Sequence, residues 1–251
     1  MYDRALLLHG AKRNELLSLA EVEQYGIDSF GDADYVSIYG LRPREWYPRG
    51  IRLLGRTAVE CTRDSLADRI GRDVASIAAG MPLKKQVVAI DPFAGSCNTL
   101  FWILRHVQEA EGVAFESDTE VFELTRRNFA ALGQSIALVR GNYANLHQHH
   151  IPEDRGIVIF VAPPWGTALD EVHGLDLCRT RPPIPEVIDR IGRQFANHNI
   201  LFAVQMYEKV CPASMAVVQT QLDWSELRLY DINEKGKNHG VILGTKSWAP
   251  R

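Results

Sequence analysis

The chain of 251 residues has only four cysteines, Cys61, Cys97, Cys178 and Cys211, and no two of them form a C-x-x-C pair. That spacing excludes a cysteine zinc site and a disulfide framework. A reducing compartment is therefore the expected location, the cytoplasm or, in a eukaryote, the nucleus. Long apolar runs are scarce as well. Near the amino terminus only Ala5–Leu8 is continuously apolar, between charged residues, far short of a signal segment or a membrane span, so no membrane partner is expected. Nor is there an excess of charge of one sign. Lys+Arg 28 against Asp+Glu 31 leaves a net charge of −3, so nothing attracts a polyanion globally and any nucleic-acid contact must come from a local patch. There is no G-x-G-x-x-G fingerprint, no internal repeat and no low-complexity tract.

What is present is 46% apolar residues, enough for one large α/β domain with an extension. From about residue 86 apolar runs alternate with amphipathic segments. Gln86–Ile90 reads as a strand, Asn98–Ala110 as a helix, Gly112–Phe115 as a strand, and Thr119–Leu132 as a helix stopped by Gly133. Ser135–Val139, Ile157–Val161 and Asn199–Val204 follow as strands, with a helix near Glu186–Ala196. Such alternation predicts a mostly parallel sheet built from βαβ units. The tail differs, because Leu227–Ile232 and Val241–Thr245 flank Asn233-Glu234-Lys235-Gly236-Lys237-Asn238, which reads as a hairpin loop. Upstream, Arg63–Ala79 has helical periodicity, with Thr62 expected as its N-cap.

The buried-strand pattern Ile157–Val161 ends abruptly at Ala162-Pro163-Pro164-Trp165-Gly166. Two prolines cannot continue a ladder, and they fix φ, so the aromatic after them is held in one place at the carboxyl edge of the sheet. A strand ending in x-Pro-Pro-aromatic resembles the catalytic motif of S-adenosylmethionine-dependent methyltransferases that modify exocyclic amines of nucleobases. The resemblance implies that Ala162 and Pro163 accept hydrogen bonds from the amine and that Trp165 stacks on the base, an interaction of about 1–3 kcal/mol. Such chemistry needs positioning and desolvation above all. The alternative is a structural Pro-Pro turn with Trp165 plugging the core.

Asp91-Pro92-Phe93-Ala94-Gly95-Ser96 follows the first strand, and its small residues let backbone amides approach a ligand. The leading acid would repel a pyrophosphate but can accept from the ammonium of a methionine moiety. Glu116 ends the second strand, where a carboxylate can bind both ribose hydroxyls. Asn142 and Tyr143 follow the third, placed for an adenine amine and its ring.

These signals, with Asn98-Thr99-Leu100 and the upstream segment Gly50-Ile51-Arg52-Leu53 followed by Thr62 and a helix ending Ile77-Ala78, resemble the RNA cap guanine-N2 methyltransferases, the trimethylguanosine synthase family, over roughly residues 46–245. The resemblance implies a Rossmann-like class I methyltransferase of the α/β class, with a mostly parallel seven-stranded sheet and a C-terminal antiparallel hairpin. Residues 1–60 would form a partly helical extension, basic toward its end, and 61–251 the methyltransferase domain. It assigns Thr62, Asp91, Phe93, Gly95, Asn98, Glu116, Asn142 and Tyr143 to S-adenosylmethionine. Ala162, Pro163, Pro164 and Trp165 are assigned to catalysis, and Trp165, Arg49 and Arg52 to an RNA or nucleotide substrate. Three positions differ from the family pattern: Cys97 stands for a glycine in a shorter loop, Asn142 for an aspartate and Ala162 for a serine. The residues leave open another amine, such as adenine N6 or a small molecule, and a cofactor-binding RNA-interaction module without catalysis.

Charge divides along the extension. Residues 1–41 hold three Lys/Arg against seven Asp/Glu, whereas 42–72 hold eight arginines against Glu45, Glu60, Asp64 and Asp68. Interleaved with Trp46 and Tyr47, those arginines predict a phosphate-tracking face. His147, His149 and His150 lack the companion spacing of a metal site, and no metal is expected. Asp170, Glu171, His173, Arg179 and Arg181 read as loop residues within reach of a substrate.

Overall fold

The computed structural model describes residues 1–82, 86–170, 172–231 and 239–250. The expected hairpin loop at 233–238 and Glu171 lie outside the described residues. The chain begins with α1 (Arg4–Leu8), α2 (Leu19–Phe30), α3 (Pro43–Trp46) and α4 (Gly55–Glu60). They are followed by α5 (Asp64–Ala78), β1 (Val87–Asp91), α6 (Asn98–His106), β2 (Glu111–Glu116), α7 (Thr119–Leu132), β3 (Ala137–Arg140) and β4 (Gly156–Val161). A two-stranded ribbon of β5 (Leu169–Asp170) and β6 (Gly174–Leu175) leads to α8 (Ile184–Gln194), β7 (Ile200–Tyr207), α9 (Pro212–Gln219), β8 (Trp224–Tyr230) and β9 (His239–Lys246).

Seven strands form one sheet in the order β3-β2-β1-β4-β7-β9-β8. Neighbours from β3 to β7 pair in parallel, while β9 runs antiparallel to both β7 and β8. The expected sheet, mostly parallel with one reversed strand, is what forms. Every residue of β1 and β4 is buried, which is why their sequences are continuous apolar runs rather than alternating ones. One face of the sheet packs on α5, α6 and the extension, where Leu7, Leu17, Ile51, Ile70, Leu100 and Val158 join one cluster. On the other face α8 and α9 cover a second cluster that includes Ile159, Ile188, Phe202 and Val218.

Local chemistry explains where elements begin and end. Asp118 accepts from the Glu120 and Val121 amides at the start of α7, and Gly133 adopts φ 63° at its stop, so the expected bounds hold. The helix α5 corrects an expectation. It is preceded by Arg63 without a side-chain cap, because the Thr62 hydroxyl donates instead to Gln205 Oε1 at 2.8 Å. Helix α8 starts earlier than expected, since Thr180 Oγ1 accepts from the Ile184 amide at 3.1 Å and Pro185 suits the first turn. Helix α9 and the β5–β6 ribbon carried too few residues of clear periodicity to be expected.

Asn128 of α7 ties the extension to the domain. Its Oδ1 accepts from the Arg52 amide at 3.0 Å, and its Nδ2 donates to the Arg52 carbonyl at 2.9 Å. The side chain is buried at 1% exposure, so Asn128→Ala leaves two backbone groups without partners. A loss of about 1–3 kcal/mol is expected, read from denaturant unfolding, and an unchanged midpoint would show that water replaces the amide freely.

Candidate active site at the carboxyl edge of the sheet

The loop after β1 is bent by two left-handed residues, Gly95 at φ 50° and Cys97 at φ 59°. The Ala94 amide donates to the Phe115 carbonyl at 2.9 Å, and the Cys97 amide to the Ala94 carbonyl at 2.5 Å. A Cβ built at Gly95 would meet no atom within 4 Å, so glycine serves the backbone angle there and the loop borders open space. Cys97 takes the same region without that freedom and is buried. Burial raises its thiol well above the usual value, which leaves it a neutral packing group rather than a nucleophile.

Two carboxylates meet at this loop. Glu116 accepts from the Gly95 amide through Oε2 at 2.9 Å and from the Asp118 amide through Oε1 at 2.7 Å. Burial raises its pKa, and these backbone donors oppose the shift. Asp91 is 2% exposed, and Oδ1 accepts from the Phe93 amide at 3.0 Å. Burial pushes its carboxyl up to about 7, the Phe93 amide lowers it and the nearby Glu116 charge raises it further. Among the described residues no lysine or arginine forms an ion pair with either acid. A site of this kind suits a ligand that brings its own positive charge and hydroxyl donors.

The other expected cofactor residues separate into two groups. Phe93 and Tyr143 face one another, with ring centroids 5.3 Å apart at 45°, and the Arg190 guanidinium lies 5.7 Å over the Tyr143 ring. They make an aromatic wall beside Asp91. Asn142 is exposed, with its Oδ1 accepting from the Ala144 amide at 2.9 Å, so it caps the short turn that carries Tyr143. Asn98 and Thr62 are both hydrogen-bonded within the fold. Asn98 is buried, its Oδ1 accepts from the Tyr39 amide at 2.7 Å, and its Nδ2 donates to the Thr62 carbonyl at 2.7 Å and to Asp64 Oδ1 at 3.1 Å. These bonds tie the start of α6 to Tyr39 of the extension and to the start of α5.

After β4 the chain turns through half-buried Ala162, buried Pro163 and exposed Pro164 to half-buried Trp165. Because β1 and β4 are neighbours, the Pro-Pro segment and the Asp91 loop leave the same edge of the sheet side by side. The Trp165 ring is stacked by His239, with centroids 5.9 Å apart at 28°, and the His239 ring meets Tyr207 edge-on at 6.4 Å. Burial lowers the His239 pKa to about 4, so the imidazole is neutral near pH 7. Sequence reasoning missed His239. The available signal was the reversed strand itself, because a strand running backward begins at the edge where its parallel neighbours end.

Several arginines of the arginine-rich stretch are paired within the fold. Arg42 pairs with Asp34 at 3.6 Å, Arg44 with Glu23 at 2.5 Å, Arg56 with Asp118 at 2.9 Å and Arg72 with Asp68 at 2.8 Å. Two of these acids come from the acidic stretch 1–41, so charges separated along the chain are neutralised in the fold. The Arg52 guanidinium donates to the Tyr47 and Ile51 carbonyls at 2.7 Å and lies 3.7 Å over the Tyr47 ring. Arg49 is exposed. Among the described residues no group of three or more His, Cys, Asp or Glu gathers to hold a metal, and no helix is long and apolar enough to cross a membrane.

No protein-family profile and no curated protein matches the chain. Solved structures do align with it. A Listeria monocytogenes protein described as a candidate class I S-adenosylmethionine-dependent methyltransferase is 14% identical over 73% of this chain and 62% of its own, with a TM-score of 0.48. TrmN from Thermus thermophilus is 16% identical over 76% of this chain and 52% of its own, with a TM-score of 0.47. Precorrin-6y C5,15-methyltransferase from Geobacter metallireducens is 13% identical over 75% and 91%, with a TM-score of 0.46. This chain thus spans about three fifths of the Listeria protein and half of the Thermus one. The fold rests on the chain's own strand order and its chemistry on its own residues. That order, β3-β2-β1-β4-β7-β9-β8 with β9 alone reversed, is the class I methyltransferase fold.

Proposed function

We propose that the chain is an S-adenosylmethionine-dependent methyltransferase acting on an exocyclic amine of a nucleobase, with N2 of guanine in RNA or a cap-like nucleotide as the favoured target. The observation that carries this reading is the juxtaposition, at one sheet edge, of the buried Asp91 and the half-buried Glu116 with the Pro-Pro-Trp turn. Asp91 suits the ammonium of the methionine moiety, Glu116 the ribose hydroxyls, and Phe93 with Tyr143 the adenine ring. The bound cofactor supplies an electrophilic methyl group on a sulfonium. The chain's own share is to orient the amine through the carbonyls of Ala162 and Pro163, to hold the base against Trp165, and to exclude water between them. With alanine at 162, side-chain acceptance is absent, and the backbone alone aligns the amine. That same feature supports a second reading, a cofactor-binding RNA-interaction module without catalysis.

Incubation with labelled S-adenosylmethionine and total RNA, followed by digestion to nucleosides, tests the reading. Label on N2-methylguanosine supports it, label on another nucleoside redirects it to a different amine, and binding without transfer favours the module. Glu116→Ala is expected to weaken cofactor binding by about 1.5–3 kcal/mol, the range for a hydrogen bond to a charged group. Calorimetry showing unchanged affinity would remove Glu116 from the site.

A further inference from the structure

Strand β8 closes one end of the sheet, with β9 as its single strand neighbour among the described residues. One of its faces is covered: the Tyr230 hydroxyl donates to Asp73 Oδ2 of α5 at 2.7 Å, and the Arg228 guanidinium pairs with the same carboxylate and, through Nε, with Glu226 of its own strand at 2.9 Å. The opposite face carries Leu227 and Leu229, exposed at 42% and 56%. Their cross-strand partners on β9 are Ile242 and Gly240, so the apolar row of the sheet runs out to this edge and stops in solvent. An edge with unpaired backbone groups and exposed leucines is a template for another strand.

The sequence of the strand selects its own partner. In an antiparallel pairing of two copies, a twofold axis at Arg228 would set arginine against arginine, and one at Glu226 would set glutamate against glutamate. Like charges directly opposite are destabilising. An axis at Leu227 instead sets Leu227 against Leu227, Glu226 against Arg228 twice, and Ser225 against Leu229. Leu227 and Leu229 stay on the bare face, Trp224 falls opposite Tyr230, and on the α5 side each Arg228, already paired with Glu226 of its own strand, meets Glu226 of the second copy as well. We propose that β8 pairs antiparallel with β8 of a second copy about an axis at Leu227, giving a closed dimer with one continuous sheet across both chains. The Asp91 loop and the Pro-Pro-Trp turn lie toward the middle of each sheet and stay open.

Light scattering of the full chain over a dilution series, joined to hydrogen exchange of the β8 amides, tests this. The expected result is a dimer that dissociates on dilution, with exchange in β8 slowing as concentration rises. Leu227→Asp should be monomeric throughout and Leu227→Val dimeric. Glu226→Arg, at a side chain 43% exposed, should raise the dissociation constant about tenfold or more by setting arginine against Arg228 of the second copy. Circular dichroism and melting curves establish that each variant folds, and Glu226→Arg carries the test if Leu227→Asp does not. A wild-type chain that stays monomeric at the highest concentration overturns the proposal. So does a dimer that folded Leu227→Asp or Glu226→Arg leaves unweakened, because its interface is then elsewhere.

Discussion

Asp91→Asn is expected to raise the stability of the protein and to cripple cofactor binding in the same step. The carboxyl is buried without a cationic partner, and burial pushes it up to about 7, whereas an unfolded aspartate titrates at about 3.9. Below the lower value both states are protonated and burial costs no charge. Between the two values the unfolded chain ionises while the folded one holds its proton, so stability falls by about 1.4 kcal/mol per pH unit and levels off above about 7. Summed over that window the penalty is on the order of 4 kcal/mol. Asparagine can still accept from the Phe93 amide and removes the titration, so the melting temperature of Asp91→Asn should exceed that of the wild type at pH 8 and converge with it near pH 4. The ligand's ammonium meanwhile loses its counter-charge, a loss of roughly 1.5–3 kcal/mol in binding. In the wild type, affinity should decline as pH falls below about 7, where Asp91 takes up a proton. Equal melting curves at pH 8, or calorimetry with unchanged affinity, would show that Asp91 is neither strained by burial nor in contact with the ligand.

The parallel strands were legible because burial on both faces leaves a plain signature, and Ile157–Val161 needed no partner to be read as a core strand. The bounds of α7 were legible for the same reason at a local scale, since Asp118 and Gly133 carry their own cap chemistry. At the site, Asp91, Gly95 and Glu116 could be brought together in advance because parallel neighbours deliver consecutive strand ends to one edge. What failed was whatever depended on a distant partner. Thr62 looks like a cap until Gln205 arrives beside it, and nothing near Asn98 along the chain announces its bonds to Tyr39 and Asp64. The arginine stretch shows the same limit in electrostatic form. Counting charge along residues 42–72 gives a basic patch, but Glu23 and Asp34 fold back onto Arg44 and Arg42 and remove much of it.

Trp165→Ala is expected to abolish most methyl transfer while leaving the fold nearly intact. A core plug would be fully enclosed, and its truncation would cost about 3–5 kcal/mol through the cavity left behind. Trp165 is instead half-buried, packed on the second hydrophobic cluster along one side and stacked by His239 at 5.9 Å. The expected cost to folding is therefore well below the core range. Loss of a stacked base removes about 1–3 kcal/mol of substrate binding, a rise in KM of roughly five- to 150-fold, and kcat should fall further because the amine is no longer aligned. Trp165→Phe keeps a flat ring over the same turn and should retain most of the activity. His239→Phe should do likewise, since the imidazole is neutral and acts on the indole as a packing surface. Melting curves measured beside methyl transfer decide between stacking and support. If Trp165→Ala collapses the melting temperature and its residual activity merely tracks the folded fraction, the indole is a structural wedge and Pro163-Pro164 only a turn.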